Sequence, residues 1–194
     1  MEKTIVKIIL VGDLGVGKTS LTLRYTEDRF DSENSFILLD QDFKIKEFLF
    51  DRNVLRVYIW DTFGQEKFKT IGVSFYRGVN GTVLVFDITN RASFERCITF
   101  WFNEAKRYTR VNSEMVLIGT KLDLVEHKIA ERAVSYEEAK SFADEMGIQY
   151  LETSSKYNLN VTQLYADLIN GIVESQNVFE GNNHNYNKKN CIIN

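Results

Sequence analysis

Apolar and polar positions alternate along this chain with two different periods. Ile5 to Val11 is an apolar run broken only by Lys7, which reads as a buried strand. Phe43 to Phe50 alternates in part, Asp51-Arg52-Asn53 is a turn, and Val54 to Trp60 is strand-like again. These two segments predict a hairpin, the single antiparallel pair of the sheet. Thr82 to Phe86 suits a central parallel strand, and Met115–Ile118 and Ile148–Leu151 add two more. Helical spacing fills the gaps. One helix follows the first strand through Leu21 to Tyr25, and a short one ends near Tyr76-Arg77-Gly78. Ser93 is read as the cap of a helix running to about Tyr108. Ser135 with Glu138 forms a capping box, and Gly147 closes that helix after Met146. Asn160 opens a last helix to about Gln176, with Val161, Leu164, Leu168 and Ile172 on one face.

Alternating strands and helices predict an α/β fold: a six-stranded, mostly parallel, doubly wound sheet with helices on both faces. Ligands of such sheets bind at the carboxyl ends of the strands. Residues 1–176 read as one domain, and the Asn-rich segment 177–194 as a flexible tail. At 194 residues and 44% hydrophobic content the chain can bury a full core. A net charge of −3 offers no basic field for nucleic acid. No apolar run is long enough to span a bilayer, and no secretory signal is expected ahead of the first strand. Two cysteines, Cys97 and Cys191, fit a reducing compartment, with Cys97 expected in the core.

Chemistry enters at Gly12–Thr19, which spells G-x-x-x-x-G-K-T between a strand and a helix. Backbone amides from Leu14, Gly15, Val16 and Gly17 through Lys18, Thr19 and Ser20 are expected to form an anion-binding nest at a helix N-terminus. The Lys18 ammonium reaches outer phosphates, and the Thr19 hydroxyl suits Mg²⁺. Asp61 follows the third strand and can hold a water on the metal, Gly64 can meet a terminal phosphate, and Gln65 can orient an attacking water. Gln65 and Lys18 are therefore the expected catalytic residues, and Thr19 and Asp61 the expected metal residues. Thr120-Lys121-Leu122-Asp123 follows the fifth strand. The Asp123 carboxylate can accept two hydrogens from a guanine edge that adenine lacks, while the Lys121 stem covers the ring. Ser154, Ser155 and Lys156 follow the sixth strand and can offer amides to the guanine oxygen. An ATP-using phosphate-loop enzyme is disfavoured by the Lys121–Asp123 pair.

With these motifs in this order, the chain resembles the small GTPases of the Ras superfamily over about residues 4–176. Within them it is similar to the Rab family, at Phe43-Lys44-Ile45, at Trp60-Asp61-Thr62 through Phe68, at Tyr76-Arg77-Gly78 and at Val85 through Asn90. The resemblance implies GDP and GTP as ligands with Mg²⁺, and a peripheral place on the cytosolic face of an endomembrane in vesicle traffic. It also implies an exchange factor, an activating protein and effectors as partners of a monomer. It sets the Phe30 ring against the base. Thr120 stands where the family more often has Asn, and its hydroxyl is expected to tie this loop to the phosphate loop.

Three departures surround one phosphate. The family's effector-loop threonine is missing: Ile37 or Leu38 falls there, and only Ser32 and Ser35 carry hydroxyls nearby. An alkane cannot ligate a hard cation. Leu14 replaces a small residue beside the γ-phosphate, and Phe63 replaces alanine. The expectation is slow hydrolysis and weak switching, with a nucleotide-binding scaffold of little or no turnover as the alternative. Cys191-Ile192-Ile193-Asn194 fits a C-a-a-X prenylation pattern, with Lys188-Lys189 as a thin basic patch. One lipid alone anchors weakly.

Overall fold

The structure is a computed structural model that describes residues 3–31, 43–50, 53–62 and 72–176. Six strands form one sheet: β1 (Lys3–Val11), β2 (Phe43–Phe50), β3 (Asn53–Asp61), β4 (Gly81–Asp87), β5 (Glu114–Thr120) and β6 (Gln149–Glu152). Their order is β2-β3-β1-β4-β5-β6. Only β2 runs against its neighbour among these pairs, with Phe43 opposite Trp60 and Phe50 opposite Asn53. β1 lies parallel to both β3 and β4. The chain winds one way from β1 to β3 and the other way to β4, so a topological switch point opens beside the end of β1.

The period-2 pattern of the strands divides the core in two. Val6, Ile8 and Leu10 of β1, with Val83 and Val85 of β4 and Val116 and Ile118 of β5, face one way. Helices α1 (Lys18–Glu27) and α7 (Val161–Ser175) cover that side, where Tyr25 stacks on Tyr165 with ring centroids 3.9 Å apart. Ile9, Val11, Leu84, Phe86 and Leu117 face the other way. They meet α2 (Val73–Tyr76), α3 (Arg91–Arg96), α4 (Phe102–Tyr108) and α6 (Tyr136–Met146). Every residue of β4 is buried, which is why that run carries no polar alternation.

The helix ends differ from expectation in instructive ways. Asn90, not Ser93, caps α3: the Asn90 side chain accepts from the Ser93 amide. The Ser93 hydroxyl is already engaged, donating to Asn90 O at 2.7 Å and accepting from the Asp87 amide at 3.0 Å. The helix reaches Tyr108 as predicted, but through a π turn at Cys97–Trp101. Ser135 accepts from Glu138 N at 3.1 Å, while the Glu138 carboxylate turns to Arg91, so half of the expected box is made. Asn160 starts α7 by its left-handed backbone (φ 58°) rather than by a side-chain cap. A helix that the hydrophobic pattern did not announce, α5 (Leu122–Glu126), begins inside the Thr120–Asp123 motif.

Gly119 of β5 shows how tightly the second core is filled. An added Cβ would lie 2.6 Å from Ile88 Cγ2 and 2.9 Å from the Tyr150 hydroxyl. Gly119→Ala is expected to cost about 1–3 kcal/mol by overpacking. Thermal unfolding should show this as a Tm lower by roughly 2–10 °C, and an unchanged Tm would mean that the pocket yields.

Candidate functional site

The polar residues collect at the carboxyl ends of β1, β3, β5 and β6. Gly12 leaves β1 pressed against β4, where a Cβ would fall 2.2 Å from the Val85 carbonyl oxygen. Glycine alone permits that approach. Gly15 (φ 77°) and Gly17 (φ 100°) bend the loop back, and Gly17 starts α1 against the Thr120 side chain. A Cβ at Gly15 would meet nothing within 4 Å, so this glycine answers to the left-handed backbone and not to packing. Lys18 is buried and its ammonium donates to Gly12 O at 3.0 Å and Asp13 O at 2.8 Å, folding over the loop. Val16 is buried, Thr19 and Ser20 half-buried, and Leu14 stands 51% exposed at the crown of the turn. Phe30, past the end of α1, is half-buried.

Asp61 is buried at the end of β3, in register with Leu10 of β1. Thr62 secures that corner by donating to Leu10 O at 2.8 Å. The Asp61 carboxylate and Thr19 hydroxyl are hard oxygen donors of the kind Mg²⁺ takes beside phosphate oxygens. Ile37, Leu38, Ser35, Phe63, Gly64, Gln65 and Cys191 lie outside the described residues.

The Thr120–Asp123 segment is tied to the glycine loop. Thr120 Oγ1 lies 2.5 Å from Val16 O and 2.9 Å from Phe86 O, so this hydroxyl does link β5 to the glycine loop. Lys121 takes a left-handed backbone (φ 64°), and its ammonium pairs with Asp87 Oδ2 at 2.7 Å. The other Asp87 oxygen accepts from the Thr89 amide and hydroxyl. Asp123 is buried and accepts from the Ser154 hydroxyl at 2.7 Å. One expected role changes here. The Ser154 amide donates to Leu159 O at 3.1 Å, so the amide is taken and it is the hydroxyl that meets Asp123.

Residues the sequence reading passed over hold this loop in place. Arg24 of α1 donates from Nε to Ser155 O at 2.7 Å and from Nη2 to Lys156 O at 3.2 Å. Arg132 makes a two-pronged pair with Glu152, at 2.6 and 2.9 Å, and the Tyr150 hydroxyl donates to the same carboxylate at 2.8 Å. Burial first, and then that carboxylate, push the Tyr150 phenol far above its ordinary range, so it stays a donor. The Glu152 hydrogen bonds raise the Arg132 guanidinium in turn. An arginine 20 residues from its partner in sequence gives no local signal. Cys97 is buried, and burial lifts its thiol far above the reactive range, so it is a core residue rather than a nucleophile.

Comparison with known proteins agrees with this geometry. Residues 7–174 match the Ras family. The chain is 42% identical over 168 residues to Ras-related protein RABD2a of Arabidopsis thaliana, covering 87% of this chain and 80% of that one. It is 44% identical over 159 residues to GTP-binding protein YPTM2 of Zea mays, covering 82% and 75%. GTP-binding protein ypt2 of Schizosaccharomyces pombe is 38% identical over 186 residues, covering 93% and 90%. The chain therefore belongs to the Ras family of small GTPases. Within it the similarity is to the Rab and Ypt proteins, and the sheet has the Ras-type phosphate-loop architecture. Among the described residues no helix is long and apolar enough to cross a membrane.

The Thr120 tether yields a direct test. Thr120→Val keeps the shape but removes a buried hydroxyl facing two carbonyls, a change worth about 1–3 kcal/mol. Hydrogen exchange at the amides of residues 15–19 should quicken in Thr120→Val and stay near the parent rate in Thr120→Ser. Equal exchange in all three would show that the hydroxyl does not hold the loop.

Proposed function

We propose that this edge binds GDP and GTP with Mg²⁺, and that the chain is a Rab-like switch of vesicle traffic with slow GTP hydrolysis. The observation that carries the reading is the pairing of Asp123 with Ser154 on a loop bonded through Thr120 to the Lys18 loop. The Ser154 hydroxyl orients the carboxylate, and the Lys121–Asp87 pair fixes the stem that would lie along the ring. A carboxylate so held accepts the two guanine hydrogens and meets acceptor against acceptor with adenine. The amides of residues 14–20 with Lys18 take the di- or triphosphate. Thr19 and Asp61 would hold Mg²⁺, which supplies neutralisation of phosphate charge.

Gln65 orients the water in this reading, and Leu14 restrains it. In this reading the isobutyl group of Leu14, 51% exposed in the glycine loop, obstructs an activating protein's arginine. Such an arginine is worth ~10³–10⁵ in rate. The alkanes at positions 37 and 38 remove a metal ligand from the first switch, so the two nucleotide forms differ less than in relatives that carry threonine there. Ser35 is the one substitute within reach in sequence. Recruitment to the cytosolic face of an endomembrane rests on lipidation at Cys191 together with a protein partner, because one lipid and Lys188-Lys189 hold weakly. The chain acts as a monomer toward its exchange factor, activating protein and effectors.

Asp123→Ala removes two charge-assisted hydrogen bonds and is expected to weaken GDP binding by at least ~10²-fold. Nucleotide titration against ADP checks the base, and equal affinity for GDP and ADP in the parent chain would sink the reading. In single-turnover GTP hydrolysis with a generic activating protein, the parent should respond weakly. Leu14→Gly should respond at least ~10-fold more strongly, since an arginine finger can then approach. A parent rate matching typical relatives, with full acceleration, contradicts the slow-turnover proposal.

A further inference from the structure

The phosphate loop carries an acidic side chain of its own. Asp13 directly follows Gly12, among the amides that gather anions, where a carboxylate would oppose bound phosphate. Its side chain turns instead toward the helix after β4. The Trp101 indole N–H donates to Asp13 Oδ1 at 2.8 Å, and Arg96 Nε approaches the same oxygen at 2.8 Å. Its main-chain carbonyl meanwhile accepts from Lys18 at 2.8 Å. Asp13 thus joins two helices by its two ends.

That pair of donors exists because of the π turn. In a regular α-helix, residues five apart point about 140° away from each other. Here the Phe102 amide bonds to Cys97 O, five residues back, so the turn between Cys97 and Trp101 is overwide. Widening the turn brings positions 96 and 101 to roughly the same side. The Arg96 guanidinium is braced there by aromatic rings, 4.8 Å from the Phe100 centroid and 5.7 Å from that of Trp101. Trp101 is wholly buried, so its N–H direction is fixed by packing.

We propose that Arg96 and Trp101 are positioning residues of the phosphate loop, brought together by the π turn so that both donate to Asp13 and hold its carboxylate off the bound phosphates. The inference deepens the nucleotide-binding reading above and rests on it. Removing the positive partner leaves the carboxylate free to swing toward the anion and loosens the residue on which Lys18 rests. The penalty is electrostatic, so neutralising Asp13 relieves it.

The test is release of fluorescent GDP from the full chain, with thermal melting to confirm that each variant is folded. Arg96→Met keeps the stem and is expected to raise the dissociation rate about tenfold, the scale of one lost charge-assisted hydrogen bond. Adding Asp13→Asn to Arg96→Met should return the rate to within about threefold of the parent, since an amide still accepts from Trp101 and repels nothing. Trp101→Phe, which keeps a ring and loses the N–H, should raise the rate about threefold and decides the matter if Arg96→Met does not fold. An unchanged rate in the folded variants overturns the proposal. So does a raised rate in Arg96→Met that Asp13→Asn fails to restore, because the loss is then one of packing. A parent chain that binds no GDP overturns the nucleotide reading itself, a result distinct from either.

Discussion

Backbone pressed against backbone is the constraint on which the rest of this structure depends. Gly12 lies so close to the Val85 carbonyl that no side chain fits between them. The phosphate loop is therefore built onto the central strand rather than hung from it, and β4 must be buried along its whole length to receive it. From this contact the loop has only one way to travel, back over itself through two left-handed glycines and into α1. The position of Lys18 follows, since its ammonium folds onto the carbonyls that this path presents.

The loops after β5 and β6 are then fixed by ties to that same frame. Thr120 connects β5 to Val16, Lys121 to Asp87 connects α5 to β4, and Arg24 connects α1 to the loop after β6. Each tie joins the frame of β1, β4 and α1 to a loop after β5 or β6. Most of these partners are buried or half-buried, where hydrogen-bonded charges are worth more than on an open surface. The Arg132–Glu152 pair does the same work one layer back, holding the end of the edge strand β6 on which Ser154 depends.

Much of this was legible in the sequence, for reasons that can be named. The strands of the parallel sheet are short apolar runs bounded by turn residues, and β2 and β3 alternate as a hairpin should. The glycine loop has a spelling because its geometry admits few residues. The Asp123 and Thr120 positions could be read because each follows a strand end. What could not be read depends on contacts between distant segments. Asp13 meets partners 83 and 88 residues away, and nothing in local composition marks them. The π turn has no period of its own within so short a stretch. Ser93 was assigned the cap because serine and asparagine both suit that role three residues apart, and only the engaged Ser93 hydroxyl decides between them. The Ser154 amide is taken within its own loop, by a bridge to Leu159 that has no periodic pattern to announce it.

Thr120 has one hydrogen to give and two carbonyls within its reach. An asparagine amide would bring two hydrogens and could serve both at once. The single Thr120 proton is therefore shared between a carbonyl of the glycine loop and one of β4, and the two halves of the site meet at one hydroxyl where an amide would supply two separate bonds.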